Sequence, residues 1–158
     1  MTAPLLVFAW GNASRGDDAL GPLFVAQLRG LLAARDDVEC LDDYQLQVEH
    51  ALDLVGRQRV LFVDASLGCA RPFEVSRVVA LADHSISTHA LSPQALLQVF
   101  LRLQPGPAPE CTLLAIRGES FELGEPPGAA ARSHLQAALR WVPAWLDGSC
   151  TMSSGAAT

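Results

Sequence analysis

The chain has 158 residues, of which 50% are hydrophobic and 18% are charged, so as one domain it can bury roughly two-thirds of its unfolded surface. Its formal net charge is −6, and its eleven basic residues, all Arg, are scattered along the chain. This pattern argues against nucleic-acid binding, which needs clustered positive side chains. No positively charged region precedes the first apolar run, and no apolar stretch approaches the roughly 20 residues of a membrane span.

The cysteines indicate a reducing compartment. Cys40, Cys69, Cys111 and Cys150 are widely and irregularly spaced, without a Cys-x-x-Cys pair, so they predict no zinc motif. Cys40 and Cys111 fall in predicted strands and are interpreted as small buried side chains. We therefore expect a cytoplasmic protein with reduced thiols.

Strand-like and helix-like segments alternate along the chain. Predicted strands are Leu5 to Trp10, Val38 to Leu41, Val60 to Val63 and Thr112 to Ile116, with a half-exposed, possibly antiparallel edge strand from Phe73 to Val79. Predicted helices run from Leu20 to Leu32, from Val48 to Val55, from Pro93 to Leu103 after an N-cap at Ser92, and from Ala131 to Leu146.

This alternation predicts an α/β fold, a three-layer sandwich in which a twisted, mainly parallel sheet of about five strands carries helices on both faces. We expect one domain over residues 1–147. Residues 148–158 are small and polar and predict a disordered C-terminal tail.

Polar residues follow several of the predicted strands. Asp17 and Asp18 come shortly after the first strand, Asp64 ends the third, and His89 lies in the loop before the third helix. Carboxyl ends of parallel strands share one edge of a sheet, so these groups are expected to meet. Two carboxylates and an imidazole would suit a divalent transition metal such as zinc or nickel.

Each of these residues has a plainer interpretation. Asp17 or Asp18 could cap the following helix, Asp64 could anchor a turn with Gly68, and His89 could be a surface loop residue. We expect Asp17 to accept backbone N–H bonds at the helix start, where Asn would replace it at a cost of about 1 kcal/mol or less. The other histidines are predicted to be solvated: His50, His84 and His134.

Five elements of the sequence resemble the NiFe hydrogenase maturation proteases. Gly11-Asn12, four residues and Asp17-Asp18 match the family's first loop, and Val63-Asp64-Ala65 matches a strand end. The other three are Gln45 with Glu49, Ser87-Thr88-His89, and residues 118–124 (GESFELG), which echo a Pro-Glu-x-Phe-x-x-Gly segment. The chain departs from the family pattern at Ala9 and Ala19, where glycine is usual, and at Asp18, where many members have Glu.

The resemblance implies an endopeptidase that removes the C-terminal extension of a NiFe hydrogenase large-subunit precursor after nickel insertion. By the same resemblance, Asp18, Asp64 and His89 are the metal-binding and catalytic residues. The metal is the nickel of the substrate, used for recognition, and zinc or cadmium could take its place in vitro. No permanently bound cofactor is expected, and the protein is expected to be a monomer that binds neither nucleic acid nor membranes.

The division of catalytic roles stays open. A carboxylate could orient or deprotonate the attacking water, and a metal could polarise the scissile carbonyl. The sequence contains no recognisable Ser or Cys nucleophile elbow and no His-Glu-x-x-His helix.

Two other functions are compatible with the sequence. One is a non-catalytic chaperone that binds nickel or the large subunit without cutting it. The other is a small-ligand-binding α/β domain, for which Asp42-Asp43 supplies an acid after the second strand. The first loop lacks the Gly-x-Gly-x-x-Gly and Gly-Lys-Ser/Thr patterns of nucleotide-binding proteins.

Overall fold

The computed structural model describes residues 2–81 and 91–149. The strands in these ranges are β1 (Leu5–Trp10), β2 (Val38–Asp43), β3 (Arg59–Ser66), β4 (Phe73–Arg77) and β5 (Glu110–Arg117). The α-helices are α1 (Leu20–Leu31), α2 (Pro93–Leu103) and α3 (Ala129–Leu146), and two 3-10 helices cover Gly16–Ala19 and Val48–Leu54.

The strands of the described ranges form one sheet in the order β2-β1-β3-β5-β4. All neighbouring pairs are parallel except β4 with β5, which is antiparallel. The predicted mainly parallel sheet and its half-exposed edge strand are confirmed. β2 extends beyond the predicted Leu41, because its pairing with β1 continues until Asp43 lies opposite Trp10.

Helices cover both faces of the sheet, so the predicted three layers are confirmed. β1 is buried on both sides: Val7 and Ala9 pack in the core beneath α1 and α3, whereas Leu6 and Phe8 pack in the core beneath the second 3-10 helix and α2. This explains why the sequence of β1 is a continuous apolar run instead of an alternating pattern.

Local signals set the helix boundaries. The Ser92 hydroxyl accepts the backbone N–H of Ala95 at 3.1 Å, and Pro93 occupies the first turn of α2, as predicted. The predicted short helix from Val48 to Val55 is a 3-10 helix and ends before Gly56, which has φ +79°. Such tight helices are common in short connecting segments.

Two predictions from the sequence fall largely on residues outside the described ranges: the loop with His84 and His89, and the tail from residue 150. Among the described residues, no helix is long and apolar enough to cross a bilayer. The thiols described are free: Cys111 is buried as predicted, Cys69 is also buried, and Cys40 is only partly buried.

The first turn of α1 lies directly against the end of β1. A Cβ atom on Gly21 would overlap the carbonyl oxygen of Trp10 far inside van der Waals contact. Glycine at this position therefore lets the helix start immediately beside the sheet edge. That placement brings the preceding 3-10 helix, Gly16–Ala19, over the carboxyl end of β1.

We expect Gly21→Ala to lower the free energy of unfolding by about 2 kcal/mol or more, because the added methyl group must displace backbone. Gly30, on the same helix, has open space around it, since a Cβ atom added there would meet no heavy atom within 4 Å. Gly30→Ala should therefore raise stability by about 0.5–1 kcal/mol through helix propensity alone. Denaturant unfolding of both variants checks this pair, and a fully stable Gly21→Ala variant would contradict the close packing.

Candidate functional site

The loop between β1 and α1 turns sharply, so that Asp18 lies against the first residues of the loop. Gly11 has φ +151°, and a Cβ atom there would collide with the carbonyl oxygen of Asp18. The Asp18 carboxylate accepts the backbone N–H of Asn12 at 2.9 Å. Asn12 in turn accepts the N–H of Ser14 through its side-chain oxygen at 2.8 Å. Asp18 is thus held at the carboxyl edge of the sheet by the loop that precedes it.

Asp64 lies near the end of β3, at the same edge of the sheet. Burial, together with the negative charge of Asp18, raises the pKa of its carboxyl group to about 7. Hydrogen bonds from the Ala65 backbone and the Trp10 side chain act in the opposite direction. Asp64 follows Val63, which pairs with Ala9 of β1. Asp18 bonds to Asn12 just beyond the end of β1, so both acids lie at the carboxyl ends of adjacent strands.

This pair of carboxylates fits a cation. Two like charges at a partly buried position disfavour joint ionisation, and a bound divalent ion would relieve that repulsion. The predicted third ligand, His89, lies outside the described residues. Within the described ranges, no three His, Cys, Asp or Glu side chains come together in an arrangement that could hold a metal ion.

Asp17 has a different role from its neighbour Asp18. Its side chain is buried and accepts three backbone N–H bonds: from Glu119 at 2.7 Å, from Ser120 at 3.2 Å and from Gly128 at 2.8 Å. The prediction that Asp17 accepts backbone N–H bonds is confirmed, but the donors do not belong to α1. They belong to the segment that connects β5 to α3.

That segment, residues 118–128, folds over the first loop. Besides the bonds to the Asp17 carboxylate, Gly16 donates its N–H to Glu125 at 2.8 Å, and Asp17 donates its N–H to Ser120 at 2.8 Å. Gly124 donates its N–H to Ser14 at 2.7 Å. The GESFELG sequence therefore supports the loop that carries Asp18.

His50 is not a solvated surface residue, so that prediction is wrong. The ring is buried, its Nδ1 accepts the backbone N–H of Gln47 at 2.8 Å, and its Nε2 lies 3.0 Å from an oxygen of Asp43. Because Nδ1 accepts a hydrogen bond, Nε2 carries the hydrogen atom and donates a hydrogen bond to the Asp43 carboxylate. An edge contact with Phe8, with ring centroids 4.6 Å apart, completes the packing.

The remaining residues singled out from the sequence lie on other parts of the chain. Gln45 and Glu49 are exposed on the connection after β2. His134, predicted to be solvated, is half-buried, and its Nδ1 lies 3.0 Å from the carbonyl oxygen of Arg117. The N–H of Gly68 bonds to the hydroxyl of Ser66 at 3.2 Å, so Ser66 supplies an anchor for the turn after β3.

Trp10 and the 118–128 segment were not identified as supports of the site from the sequence. A tryptophan at the end of a buried apolar strand is a usable signal, because a buried indole N–H needs an acceptor.

Comparison with solved structures identifies proteins that share this fold. The chain is similar to a NiFe hydrogenase maturation protease, HycI, from Thermococcus kodakarensis KOD1, with TM-score 0.70, 20% identity, and coverage of 92% of this chain and 93% of that one. It is similar to the hydrogenase maturating endopeptidase HybD from E. coli, with TM-score 0.69, 24% identity and coverage of 92% and 93%.

A third similar structure is the hydrogenase 2 maturation peptidase from Thaumarchaeota archaeon SCGC_AB-539-E09, with TM-score 0.65, 23% identity and coverage of 90% and 97%. No protein-family model matches the sequence, and no curated protein matches it. The chain has the fold of the hydrogenase maturation proteases, as its sequence resemblance implied.

We expect Asp17→Asn to cost about 2–3 kcal/mol of unfolding free energy, more than the 1 kcal/mol expected for a simple helix cap. Both carboxylate oxygens accept N–H bonds, and an amide would turn its NH₂ group toward one of these donors. Asp36→Asn is the matched control, because Asp36 is exposed. It should change stability by no more than about 0.5 kcal/mol.

The cost of Asp17→Asn should also depend on pH. Burial raises the pKa of Asp17, but the N–H bonds from Glu119, Gly128 and Ser120 outweigh it and leave the pKa below 3.8. The stabilisation is therefore present above that value and is lost as pH falls through the folded-state pKa. Unfolding free energies of wild type and variant should converge in acid, and a gap independent of pH would contradict this role.

Proposed function

We propose that this protein is an endopeptidase that removes the C-terminal extension of a NiFe hydrogenase large-subunit precursor. The observation that carries the proposal is the placement of Asp18 and Asp64 at the carboxyl ends of adjacent strands, in a fold similar to those of named hydrogenase maturation proteases. These two residues also belong to the sequence elements that resemble the family.

We further propose that the nickel of the precursor is part of the substrate and is recognised by Asp18, Asp64 and His89. Oxygen and nitrogen ligands of this kind suit nickel, although ligand preference alone does not exclude zinc. The proximity of two carboxylates supports the proposal, since their repulsion would be relieved by a cation supplied by the partner. Three ligands from separate parts of the chain also make an incomplete shell, so nickel affinity should be low without the precursor.

The peptide bond is proposed to be attacked by water, with a carboxylate of the pair orienting it or accepting its proton. Thiol chemistry is disfavoured at the described cysteines. Burial raises the pKa of Cys111 to about 12 and also raises those of Cys69 and Cys40. Such groups carry little thiolate at neutral pH, and the thiolate is the nucleophilic form.

Asp18→Asn and Asp64→Asn should each reduce cleavage of nickel-loaded precursor by at least about 100-fold, in line with the loss of a positioned acid–base group. Both variants should remain folded, because the neutral side chains remove the repulsion between the carboxylates. Cleavage is measured as a mass shift of the purified large subunit after incubation with each variant.

Asp42→Asn is the control for these variants, since Asp42 lies near the end of β2 with an exposed side chain bonded to Arg29 at 3.1 Å. It should cleave as fast as wild type. A folded wild-type protein that binds the precursor but leaves its mass unchanged would refute the protease and favour a binding chaperone.

Precursor that lacks nickel should resist cleavage even with excess protein, because the ligands on the protease side would then have no ion to share. The measurement compares nickel-free precursor with the same preparation after nickel loading. Equally fast cutting of both forms, with Asp18, Asp64 and His89 unchanged, would overturn recognition through nickel and leave the fold assignment intact.

A further inference from the structure

A groove runs between α1 and α3, on the face of the sheet that these helices cover. One cavity of about 470 Å³ is lined by Ala13, Ala19, Leu23, Ala26, Pro127 and Arg132, among others. A second cavity of about 460 Å³ continues along the helices to Leu31, Leu139 and Arg140. Each volume is in the range that binds ligands.

The two cavities share two lining residues and are together called the channel. Gln27 and Gln136 line both of them, and the side-chain amide of Gln136 donates to Gln27 at 3.0 Å where the cavities meet. From Ala19, at the end of the 3-10 helix, to Leu31, at the end of α1, the channel is about 18 Å long. An extended peptide of about five or six residues spans that distance.

The groove begins beside the carboxylate pair. Ala19 directly follows Asp18, and Ala13 belongs to the loop whose neighbouring residue, Asn12, donates its N–H to Asp18. Pro127 comes from the 118–128 segment that holds Asp17. A chain that leaves the edge of the sheet at Asp18 can therefore enter the groove without crossing the rest of the molecule.

The charge of the groove differs from that of the protein. The chain carries a formal net charge of −6, yet the charged residues found among the groove-lining residues described are Arg132 and Arg140. Arg132 is oriented by the bond from its Nε to the carbonyl oxygen of Pro127 at 3.3 Å. Apolar walls, two central amides and two guanidinium groups suit an extended apolar peptide that carries a carboxylate.

We propose that this groove binds the C-terminal extension of the precursor, on the leaving side of the bond that is cut. The inference rests on the proposed function and adds the place where the extension lies. The extension ends in a carboxylate, which complements the two guanidinium groups of the groove. The amides of Gln27 and Gln136 bond to each other between the two cavities, and they would exchange this bond for bonds to the main chain of the extension.

The test uses a fluorescent synthetic peptide with the sequence of the extension, and its binding to catalytically inactive Asp18→Asn protein is measured by anisotropy. Ala26→Trp, at an exposed groove position on α1, should raise the Kd at least about 10-fold by filling the channel. Arg132→Gln together with Arg140→Gln should raise it about 3- to 10-fold, with a weaker salt dependence.

Matched controls lie outside the groove. Ala34→Trp, just beyond α1, introduces the same side chain at an exposed position, and Arg102→Gln removes an exposed charge from α2. Neither should change the Kd of the peptide. Thermal melts confirm that each variant is folded before its binding is interpreted.

Cleavage of nickel-loaded precursor separates this inference from the proposed function. The groove variants with Asp18 intact should raise KM and leave kcat nearly unchanged. Normal cleavage with an unaltered peptide Kd in every groove variant would contradict peptide binding in the groove and would leave the proposed protease activity unaffected.

If the protein never cleaves precursor but binds the peptide, and Ala26→Trp abolishes that binding, the result would support the groove and refute the protease. Loss of self-association in Ala26→Trp with an unchanged peptide Kd would assign the groove to a second copy and overturn the proposal.

Discussion

The buried carboxylate of Asp17 connects the parts of the molecule on which the candidate site depends. Its two oxygens accept backbone N–H bonds from Glu119, Ser120 and Gly128, and Gly128 directly precedes α3. A single ionised side chain therefore joins the loop after β1, the segment after β5 and the start of the final helix. A buried charge is stable only with such partners, so the three chain segments are fixed relative to one another.

The surroundings of the neighbouring Asp18 differ from those of Asp17. It has one backbone donor, Asn12, and it faces Asp64, whose own charge is disfavoured by burial and by Asp18. The Asp17 carboxylate is thus hydrogen-bonded at both oxygens, whereas the negative charge of Asp18 acts against the ionisation of Asp64. Groups of this kind are concentrated at functional sites. Two adjacent residues of one type thus differ in their surroundings: Asp17 stabilises the fold, and Asp18 is the one proposed to bind the metal of the substrate.

The arrangement also relates the site to the groove between α1 and α3. Glycine at position 21 allows α1 to begin against the end of β1, which brings Asp18 to the sheet edge and Ala19 to the mouth of the groove. The 118–128 segment contributes to both places, through its bonds to Asp17 and through Pro127. A folded partner held at the carboxylate pair and a flexible extension held in the groove would use one continuous surface.

Much of this architecture could be predicted from the sequence, because it depends on local patterns. Apolar runs and their alternation predicted the five strands and the antiparallel edge, and Ser92-Pro93 predicted the start of α2. Asp64 and the Asp17-Asp18 pair were placed at one edge because parallel strands bring their carboxyl ends together.

The different roles of Asp17 and Asp18 depended on contacts about a hundred residues away in sequence, so the donors of Asp17 could not be predicted locally. His50 was misassigned for the same reason: its burial results from Asp43 and Phe8, which belong to two different strands. The sequence by itself determined the elements and the edge at which the acids meet, whereas tertiary packing decided which acid is buried, which is paired and where a groove opens, because those outcomes depend on neighbours that only the folded chain brings together.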